Sequence, residues 1–264
     1  MGVKTGVQQY MVRDFMEEEQ QVTSVFGTIR KIGYDGIELC GFLMKEGIDW
    51  KAMVDEAGLI VPAMHQIGED MFADPDKFIA EANAFECKYL VAAAAIKTDF
   101  DDKDSVMELT SELNKLGKVF REAGIQLLYH NHNAELAKVD NATTALQIIV
   151  EETDSDAVKF EFDSFWTAKS GAYPVEWMEK MKGRMPFYHV NDAGVPKDDI
   201  GKPIRDIMEG RELGRGVMNI PRFVETAKAA GCETIILETH DNWIDGDPVK
   251  SMEISYGYLS ELIG

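Results

Sequence analysis

Five histidines occur in this chain of 264 residues, and each stands at or just past the end of a short apolar run. They are His65, His130, His132, His189 and His240. Runs rich in β-branched and aromatic residues are typical of β-strands. Because imidazole groups bind divalent cations and transfer protons near neutral pH, histidines gathered at strand ends are candidates for a metal-binding or acid–base site.

Carboxylates also stand at the ends of two strand-like runs: Asp163 ends a run without a histidine, and Glu238 ends the run that His240 follows. Side chains two residues apart on a strand share a face, so Asp163 points the same way as Glu161 and Lys159. Phe160 and Phe162, which alternate with them, are suited to packing outward under helices. The polar side chains should therefore point into the interior of the sheet or barrel. We interpret Lys159 and Glu161, which lie deeper in the run, as an internal ion pair.

Strand-like runs alternate with stretches of helical periodicity along the whole chain. The predicted strands are Thr5–Tyr10, Gly36–Cys40, Leu59–His65, Tyr89–Ala95, Ile125–His130, Val158–Asp163, Phe187–Val190 and Thr234–Glu238. The predicted helices are Glu17–Ile32, Asp49–Ala57, Asp74–Phe85, Lys103–Ala123, Asn141–Glu151 capped by Asn141, Pro174–Lys182, Ile220–Ala230 capped by Asn219, and Pro248–Ile263. Each strand is thus followed by a helix.

This alternation favours an α/β fold, a closed (β/α)8 TIM barrel, formed by residues 1–264 as a single domain. An open doubly wound sheet usually carries a glycine-rich fingerprint after its first strand, and the sequence has none there. In a barrel the carboxyl ends of all strands meet at one rim. The histidines and carboxylates should therefore converge there.

Composition narrows the class of partner. The formal net charge is −20, with no local concentration of Lys and Arg, which argues against nucleic-acid binding. No stretch approaches the ~20 apolar residues of a membrane span. The three cysteines have unrelated spacings and no CxxC, which indicates a reducing, cytoplasmic setting. The expected partner is a small molecule, bound by a monomer or a homo-oligomer.

Several segments together carry a family resemblance. They are Tyr129-His130-Asn131-His132 with Glu135 downstream, Glu161-Phe162-Asp163-Ser164-Phe165-Trp166, His189-Val190-Asn191-Asp192, Gly214-Arg215-Gly216, and Glu238. With these segments in this order, the chain resembles the sugar phosphate isomerase/epimerase family, the xylose isomerase-like TIM barrels. Within that family it is most similar to the branch with a YHNHxxE segment. The resemblance extends over essentially the whole chain.

The resemblance implies one divalent cation, manganese, cobalt, magnesium or zinc, held at the strand ends. Carried over by position, its ligands are Asp163, His189 and Glu238. The fourth ligand position holds His130, where many members of the family have Glu. Imidazole binds divalent cations but removes a charge and a carboxylate base, so His132 or Glu135 are alternatives for supplying the missing function.

The resemblance also implies proton transfer next to a carbonyl group, through a metal-stabilised enediolate of a sugar or sugar derivative. We expect Glu238 to act as both ligand and base, with His130 or His132 as the partner acid. The residues expected to contact substrate are Glu38, His65, Trp166, Arg215 and His240. Trp166 suits stacking on a sugar ring, or it forms a hydrophobic wall.

Three functions are compatible with these residues. The first is a metal-dependent isomerase or epimerase acting on a sugar or sugar derivative. The second is a lyase on the same scaffold, a dehydratase acting by β-elimination on a keto sugar or an inosose, which a histidine at position 130 could assist by protonating a leaving group. The third is a non-catalytic sugar-binding barrel.

Overall fold

The structure, a computed structural model, describes residues 2–93, 97–194 and 208–264. Its strands are β1 (Lys4–Gln8), β2 (Gly36–Cys40), β3 (Met64–Ile67), β4 (Tyr89–Ala93), β5 (Gln126–His130), β6 (Val158–Asp163), β7 (Phe187–Val190), β8 (Asp192–Gly194), β9 (Glu209–Arg211) and β10 (Thr234–Leu237). Parallel pairing closes a barrel in the order β1-β10-β7-β6-β5-β4-β3-β2, and β8 pairs with β9 separately. The (β/α)8 barrel expected from the sequence is confirmed.

Helices cover the outside of this barrel. They are α1 (Glu19–Ile32), α2 (Trp50–Ala57), α3 (Gly68–Ala73), α4 (Pro75–Ala84), α5 (Lys103–Glu122), α6 (Ala145–Glu152), α7 (Ser164–Lys169), α8 (Pro174–Lys180), α9 (Ile220–Ala230) and α10 (Pro248–Ile263). Among the helices of the described residues, none has the length and apolar character that crossing a membrane requires.

The hydrophobic core has two parts. The larger part lies between the strands and the surrounding helices. The smaller part comprises Ala63, Val91, Leu128, Phe187 and Ile236. Because β4, β5, β7 and β10 lie at different points around the ring, these side chains can meet only inside it. They form an apolar floor beneath the polar residues at the strand ends.

Gly6 on β1 makes room for this floor. A Cβ atom at Gly6 would come within 2.6 Å of Cδ1 of Ile236. The absent side chain therefore lets Ile236 fill the centre of the barrel. An apolar floor strengthens electrostatic interactions in the layer above it, because it keeps the local dielectric constant low.

Among the described residues, two predicted strands differ from the observed ones by two or more residues at one end or at both. The first ends earlier than predicted because the Gln8 side chain accepts a hydrogen bond from Tyr10 N at 3.3 Å and starts a 3-10 helix, Gln9–Phe15. The third was predicted as Leu59–His65 but is observed as Met64–Ile67. Pro62 explains the difference, since it has no N–H to donate to a strand ladder. Ala94 and Ala95 of the predicted fourth strand lie outside the described residues.

The prediction that Asn141 caps a helix was wrong. The carboxylate of Asp140 accepts hydrogen bonds from the backbone N–H groups of Ala142 and Thr143, which forms a turn. The helix α6 begins after this turn and is capped by Thr144, whose hydroxyl accepts the N–H of Gln147 at 3.2 Å. The cap at Asn219 is confirmed, because its side chain accepts the N–H of Arg222. The helices α3 and α7 and the β8–β9 pair were not predicted.

Thr144→Ala tests the position of this cap. We expect the free energy of unfolding to fall by about 1 kcal/mol, the usual effect of losing an N-cap oxygen. Asn141→Ala is the matched control, and a change below about 0.5 kcal/mol is expected because this residue is exposed and outside the helix. Urea unfolding followed by circular dichroism measures both variants. Equal losses in the two variants would contradict the observed helix start.

Candidate metal-binding and active site

A compact group of ligand atoms lies at the carboxyl ends of the strands. One atom from each of four side chains falls within 4.8 Å of the others, and all four residues are buried: His130, Asp163, His189 and Glu238. They come from the ends of β5, β6 and β7 and from the residue after β10. The barrel thus brings together residues that are more than one hundred positions apart in sequence, in the set that the sequence resemblance implied.

Asp163 is held by its neighbours on both sides. Its Oδ1 accepts the backbone N–H of Trp166 at 2.8 Å and thereby caps α7. The Asn131 side chain accepts the N–H of Asp163 at 3.0 Å and donates to its carbonyl oxygen at 3.2 Å. These bonds fix the end of β6 and leave the second carboxylate oxygen for a ligand. Burial, followed by the charge of Glu238, raises the pKa of Asp163 to about 7.

His189 connects two levels of the site. Its Nδ1 lies 3.0 Å from Oε2 of Glu238, and its Nε2 lies 2.7 Å from Oε2 of Glu38. Burial acts to lower the pKa of His189, but the surrounding carboxylates outweigh it, chiefly Glu161 and Glu38, and hold this pKa well above its usual value. The two ring nitrogens therefore have different partners: Nε2 faces the carboxylates of Glu38 and Glu161, and Nδ1 faces Glu238.

A second layer of charged groups lies directly on the apolar floor. Glu38 and Glu161 are both 0% exposed. The Nε2 atom of His65 hydrogen-bonds to Oε2 of Glu161 and lies 3.4 Å from Oε2 of Glu38. Burial, and then repulsion from Glu161, raises the pKa of Glu38 to about 7. The prediction of an ion pair between Lys159 and Glu161 was wrong, because Glu161 contacts His65, His130 and His189 instead.

The donor atoms fit a divalent cation. Two imidazoles and two carboxylates form the ligand group, and the two carboxylates would balance a 2+ charge. Buried polar groups are almost always paired. Within the described residues, Oε1 of Glu38 and Oε1 of Glu161, two carboxylate oxygens of the layer below the ligand group, have no hydrogen-bond partner. These unpaired negative oxygens show that the buried carboxylates are not fully neutralised by the protein, which favours a bound cation.

A cavity of about 320 Å³ opens onto this group. Its lining includes Cys40, His65, His130, His132, Glu238 and His240, with Tyr10, Phe42, Ile67 and Ala93 as apolar walls. Two of the histidines, His132 and His240, are partly exposed. The side chain of His240 is 30% exposed, and its Nε2 lies 3.0 Å from Oε1 of Glu238. The cavity therefore joins solvent to the ligand group along His240.

The histidines of the cavity have contrasting surroundings. Burial lowers the pKa of His130 to about 3 and that of His132 to about 4, so both are neutral near pH 7. Burial also acts to lower the pKa of His240, but the charge of Glu238 and its hydrogen bond raise it above the usual value. Burial likewise acts to lower the pKa of His65, but the carboxylates of Glu38 and Glu161 outweigh it and raise this pKa. Two neutral imidazoles and two that favour their protons thus face the same space.

Aromatic rings pack against the histidines at the edge of this cavity. The Trp166 ring centre lies 5.5 Å from the ring centres of both His132 and His240. Tyr10 packs edge-on against His240 at 5.0 Å. Trp166 lines a neighbouring cavity of about 270 Å³, which shares His240 with the first cavity. A flat, partly exposed ring at this point suits contact with the apolar face of a sugar.

Two other predicted positions lie apart from this group. Arg215 is exposed and does not line the cavity. Its loop is held to the barrel by Asp192, whose Oδ2 accepts the N–H groups of Gly214 at 3.0 Å and Gly216 at 2.9 Å. Glu135 accepts the Tyr129 hydroxyl at 2.8 Å and the backbone N–H of His132 at 2.9 Å. Glu135 thus shapes the turn after β5.

Sequence reasoning missed the supporting residues of the site. Asn131 was noticed only as part of the YHNH segment, yet it secures Asp163. Asp192 was noticed only as part of the segment after β7, yet it organises the loop of Arg215. Glu38 was expected to contact substrate but lies fully buried beneath His189. The available signal was the presence of an amide or an acid close to a candidate ligand in sequence, as Asn131 is to His130 and Asp192 is to His189.

Sequence comparison matches residues 26–261 to the xylose isomerase-like TIM barrel family, and the chain belongs to this family. Inosose dehydratase from Clostridium perfringens is 27% identical over 142 residues, which are 53% of this chain and 43% of that protein. The chain therefore spans about half the length, or less, of this curated relative.

Solved structures share the fold over the full chain. A sugar phosphate isomerase/epimerase from Parabacteroides distasonis superposes with a TM-score of 0.81 at 21% identity and covers 100% of both chains. A xylose isomerase-like TIM barrel protein from Mycobacterium smegmatis, in complex with magnesium, gives a TM-score of 0.73 at 14% identity over 100% of this chain and 97% of that one. The family resemblance read from the sequence is confirmed.

Asp163→Asn tests the ligand group. The amide keeps the oxygen that caps α7 and removes the charge, so we expect a folded protein whose affinity for Mn²⁺ falls by more than about 100-fold. Loss of a group that merely supports a ligand already lowers affinity about 10–100-fold. Titration calorimetry measures the affinity. Glu135→Gln is the matched control, a buried carboxylate outside the ligand group, and equal loss in it would contradict the assignment.

Proposed function

We propose that this chain is a metal-dependent enzyme that isomerises or epimerises a sugar or sugar derivative by removing a proton next to its carbonyl group. The observation that carries the proposal is the ligand group of His130, Asp163, His189 and Glu238, at the base of an open cavity. A divalent cation bound there would polarise the carbonyl oxygen and make the adjacent C–H more acidic. Manganese, cobalt, magnesium and zinc all suit this role.

Glu238 is the proposed base. It lines the cavity and it is buried, so its carboxylate can reach a substrate C–H without competition from bulk water. Its Oε2 is held by His189 and its Oε1 by His240. These two contacts fix the carboxylate plane and keep the carboxylate charged until substrate binds.

His240 is proposed to assist Glu238 by holding its carboxylate through their hydrogen bond. It is hydrogen-bonded to Glu238 and partly exposed at the cavity mouth, whereas His130 is buried within the ligand group. A proton on Glu238 is available for return to the substrate. Its return to the neighbouring carbon, with the hydroxyl proton moving to the former carbonyl oxygen, gives isomerisation. Epimerisation requires a proton from a second group on the opposite face, the role expected of His130 or His132.

His132 and Trp166 are proposed to orient the sugar. The neutral ring of His132 offers both a donor and an acceptor to hydroxyl groups. Trp166 offers an apolar face that excludes water on the side of His240. His65, whose ring stacks parallel to His189 at 5.2 Å, lines the opposite wall. Enclosure of this kind strengthens electrostatic stabilisation of the deprotonated substrate.

Elimination is the second candidate reaction, and one observation favours it. The curated relative from Clostridium perfringens is an inosose dehydratase, at 27% identity over about half of this chain. A dehydratase would remove the same proton and then expel a β-hydroxyl group as water. The substrate in that case is a cyclic polyol ketone.

Glu238→Gln tests the proposed base. In D₂O, the wild-type protein loaded with Mn²⁺ should catalyse replacement of the C–H hydrogen next to the carbonyl of a ketose or inosose by solvent deuterium. The variant should lower this exchange by about 10²–10⁴-fold, the usual contribution of a general base. Proton NMR follows exchange and metal analysis follows the bound ion. Glu212→Gln, a buried carboxylate bonded to Ser251, is the control.

The same samples distinguish the two reactions. Isomerisation and epimerisation conserve the substrate mass, whereas elimination loses one water molecule, which mass spectrometry detects. Exchange that persists in Glu238→Gln with full metal content would remove Glu238 from the mechanism. No exchange by the metal-loaded wild type with any ketose or cyclitol ketone would contradict the proposed function.

A further inference from the structure

We propose that Glu161 is the positioning residue of the metal centre: its carboxylate fixes the Nδ1–H tautomer and the orientation of His130, so that Nε2 of His130 is presented to the cation. This inference rests on the proposed metal-dependent function. It assigns a role to a residue that lies outside the ligand group of His130, Asp163, His189 and Glu238.

The strand register puts Glu161 in place for this role. His130 on β5 is the direct partner of Glu161 on β6. Asp163 follows two residues later on the same strand, so it shares the inner face and lies about 6.6 Å nearer the barrel mouth. Glu161 is therefore directly below the ligand group and beside His130.

One oxygen of Glu161 is surrounded by imidazole nitrogens. Its Oε2 hydrogen-bonds to Nε2 of His65 and lies 3.2 Å from Nε2 of His189 and 3.5 Å from Nδ1 of His130. Nδ1 of His130 is buried and has no hydrogen-bond partner among the described residues. Oε2 of Glu161, at 3.5 Å, is the carboxylate oxygen that faces this nitrogen, at the outer limit of hydrogen-bond distance.

These contacts indicate which ring nitrogen of His189 and of His130 carries the proton. A carboxylate beside one ring nitrogen holds the proton on it, which leaves the other nitrogen as a lone pair and increases its basicity. Glu38 does this for His189, with Nε2 toward the carboxylate and Nδ1 toward Glu238. Glu161 does it for His130 with the opposite nitrogen. His65 packs edge-on against His130 at 4.9 Å and limits its rotation.

A second cation in the lower layer is the competing arrangement. Ligand atoms of His65, His130, Glu161 and His189 also fall within 4.8 Å of one another. However, His130 and His189 belong to both groups. Two cations at once would require each ring to bind through both nitrogens and lose its N–H proton. A single cation, with Glu161 as hydrogen-bond acceptor, avoids this requirement.

Nitrogen NMR of the wild-type protein tests the tautomer directly. With only five histidines, long-range ¹H–¹⁵N correlations in the Zn²⁺-loaded protein can be assigned ring by ring. We expect His130 to carry its proton on Nδ1. A proton on Nε2 of His130 would overturn the proposal. This measurement needs no variant and does not depend on turnover.

Glu161→Gln tests the effect on the cation. We expect the affinity for Zn²⁺ to fall about 10–100-fold, the usual effect of losing a supporting carboxylate, while thermal unfolding of the metal-free protein remains cooperative. Unchanged affinity would overturn the proposal. So would the binding of two Zn²⁺ ions per chain by the wild type, as measured by titration and elemental analysis.

A compensating pair separates positioning from mere structural support. His130→Glu combined with Glu161→Gln moves the carboxylate from the supporting position to the ligand position at constant charge. We expect the double variant to bind Zn²⁺ at least tenfold more tightly than Glu161→Gln alone. No recovery would contradict the proposal. If the wild type itself binds no divalent cation, the proposed function fails as well, so the two failures are distinguishable.

Discussion

Burial of negative charge is the interaction that constrains this structure. Within the described residues, the carboxylates of Glu38, Glu161, Asp163 and Glu238 are buried together above an apolar floor. An isolated carboxylate is strongly disfavoured in such a place unless it is paired or neutralised. The raised pKa values of Glu38 and Asp163 express this strain, and the neighbouring imidazoles relieve part of it. A divalent cation would relieve the rest.

The barrel makes this arrangement possible because each of its three layers of side chains has a different role. Side chains of the floor exclude water from below, and the middle layer of Glu38 and Glu161 orients the histidines above it. The upper layer contributes the ligand atoms and opens into the cavity. Backbone contacts such as the Asn131 clamp on Asp163 fix the strand ends, so the ligand atoms are held in place before any ion or substrate binds. Such preorganisation is what electrostatic catalysis requires.

The sequence predicts the barrel and the convergence of polar residues at its rim, because both depend on local signals, whereas the set of metal ligands was implied by the family resemblance. Strand and helix periods recur along the chain, and Asp163 and His189 stand at strand ends that must converge. The middle layer could not be predicted in the same way. Alternation shows that Glu161 points inward, but its partner depends on the stagger between neighbouring strands, which places it beside His130 and not beside Lys159. Register is a property of the closed ring, and no single strand reveals it.

One divalent cation is proposed to bind where β5, β6, β7 and β10 end. Anomalous diffraction from crystals soaked with Mn²⁺ would locate it. We expect one strong peak per chain, within coordination distance of Asp163, His189 and Glu238, with His130 completing the site. A peak in another part of the barrel, or no peak beside these residues at saturating Mn²⁺, would contradict this proposal.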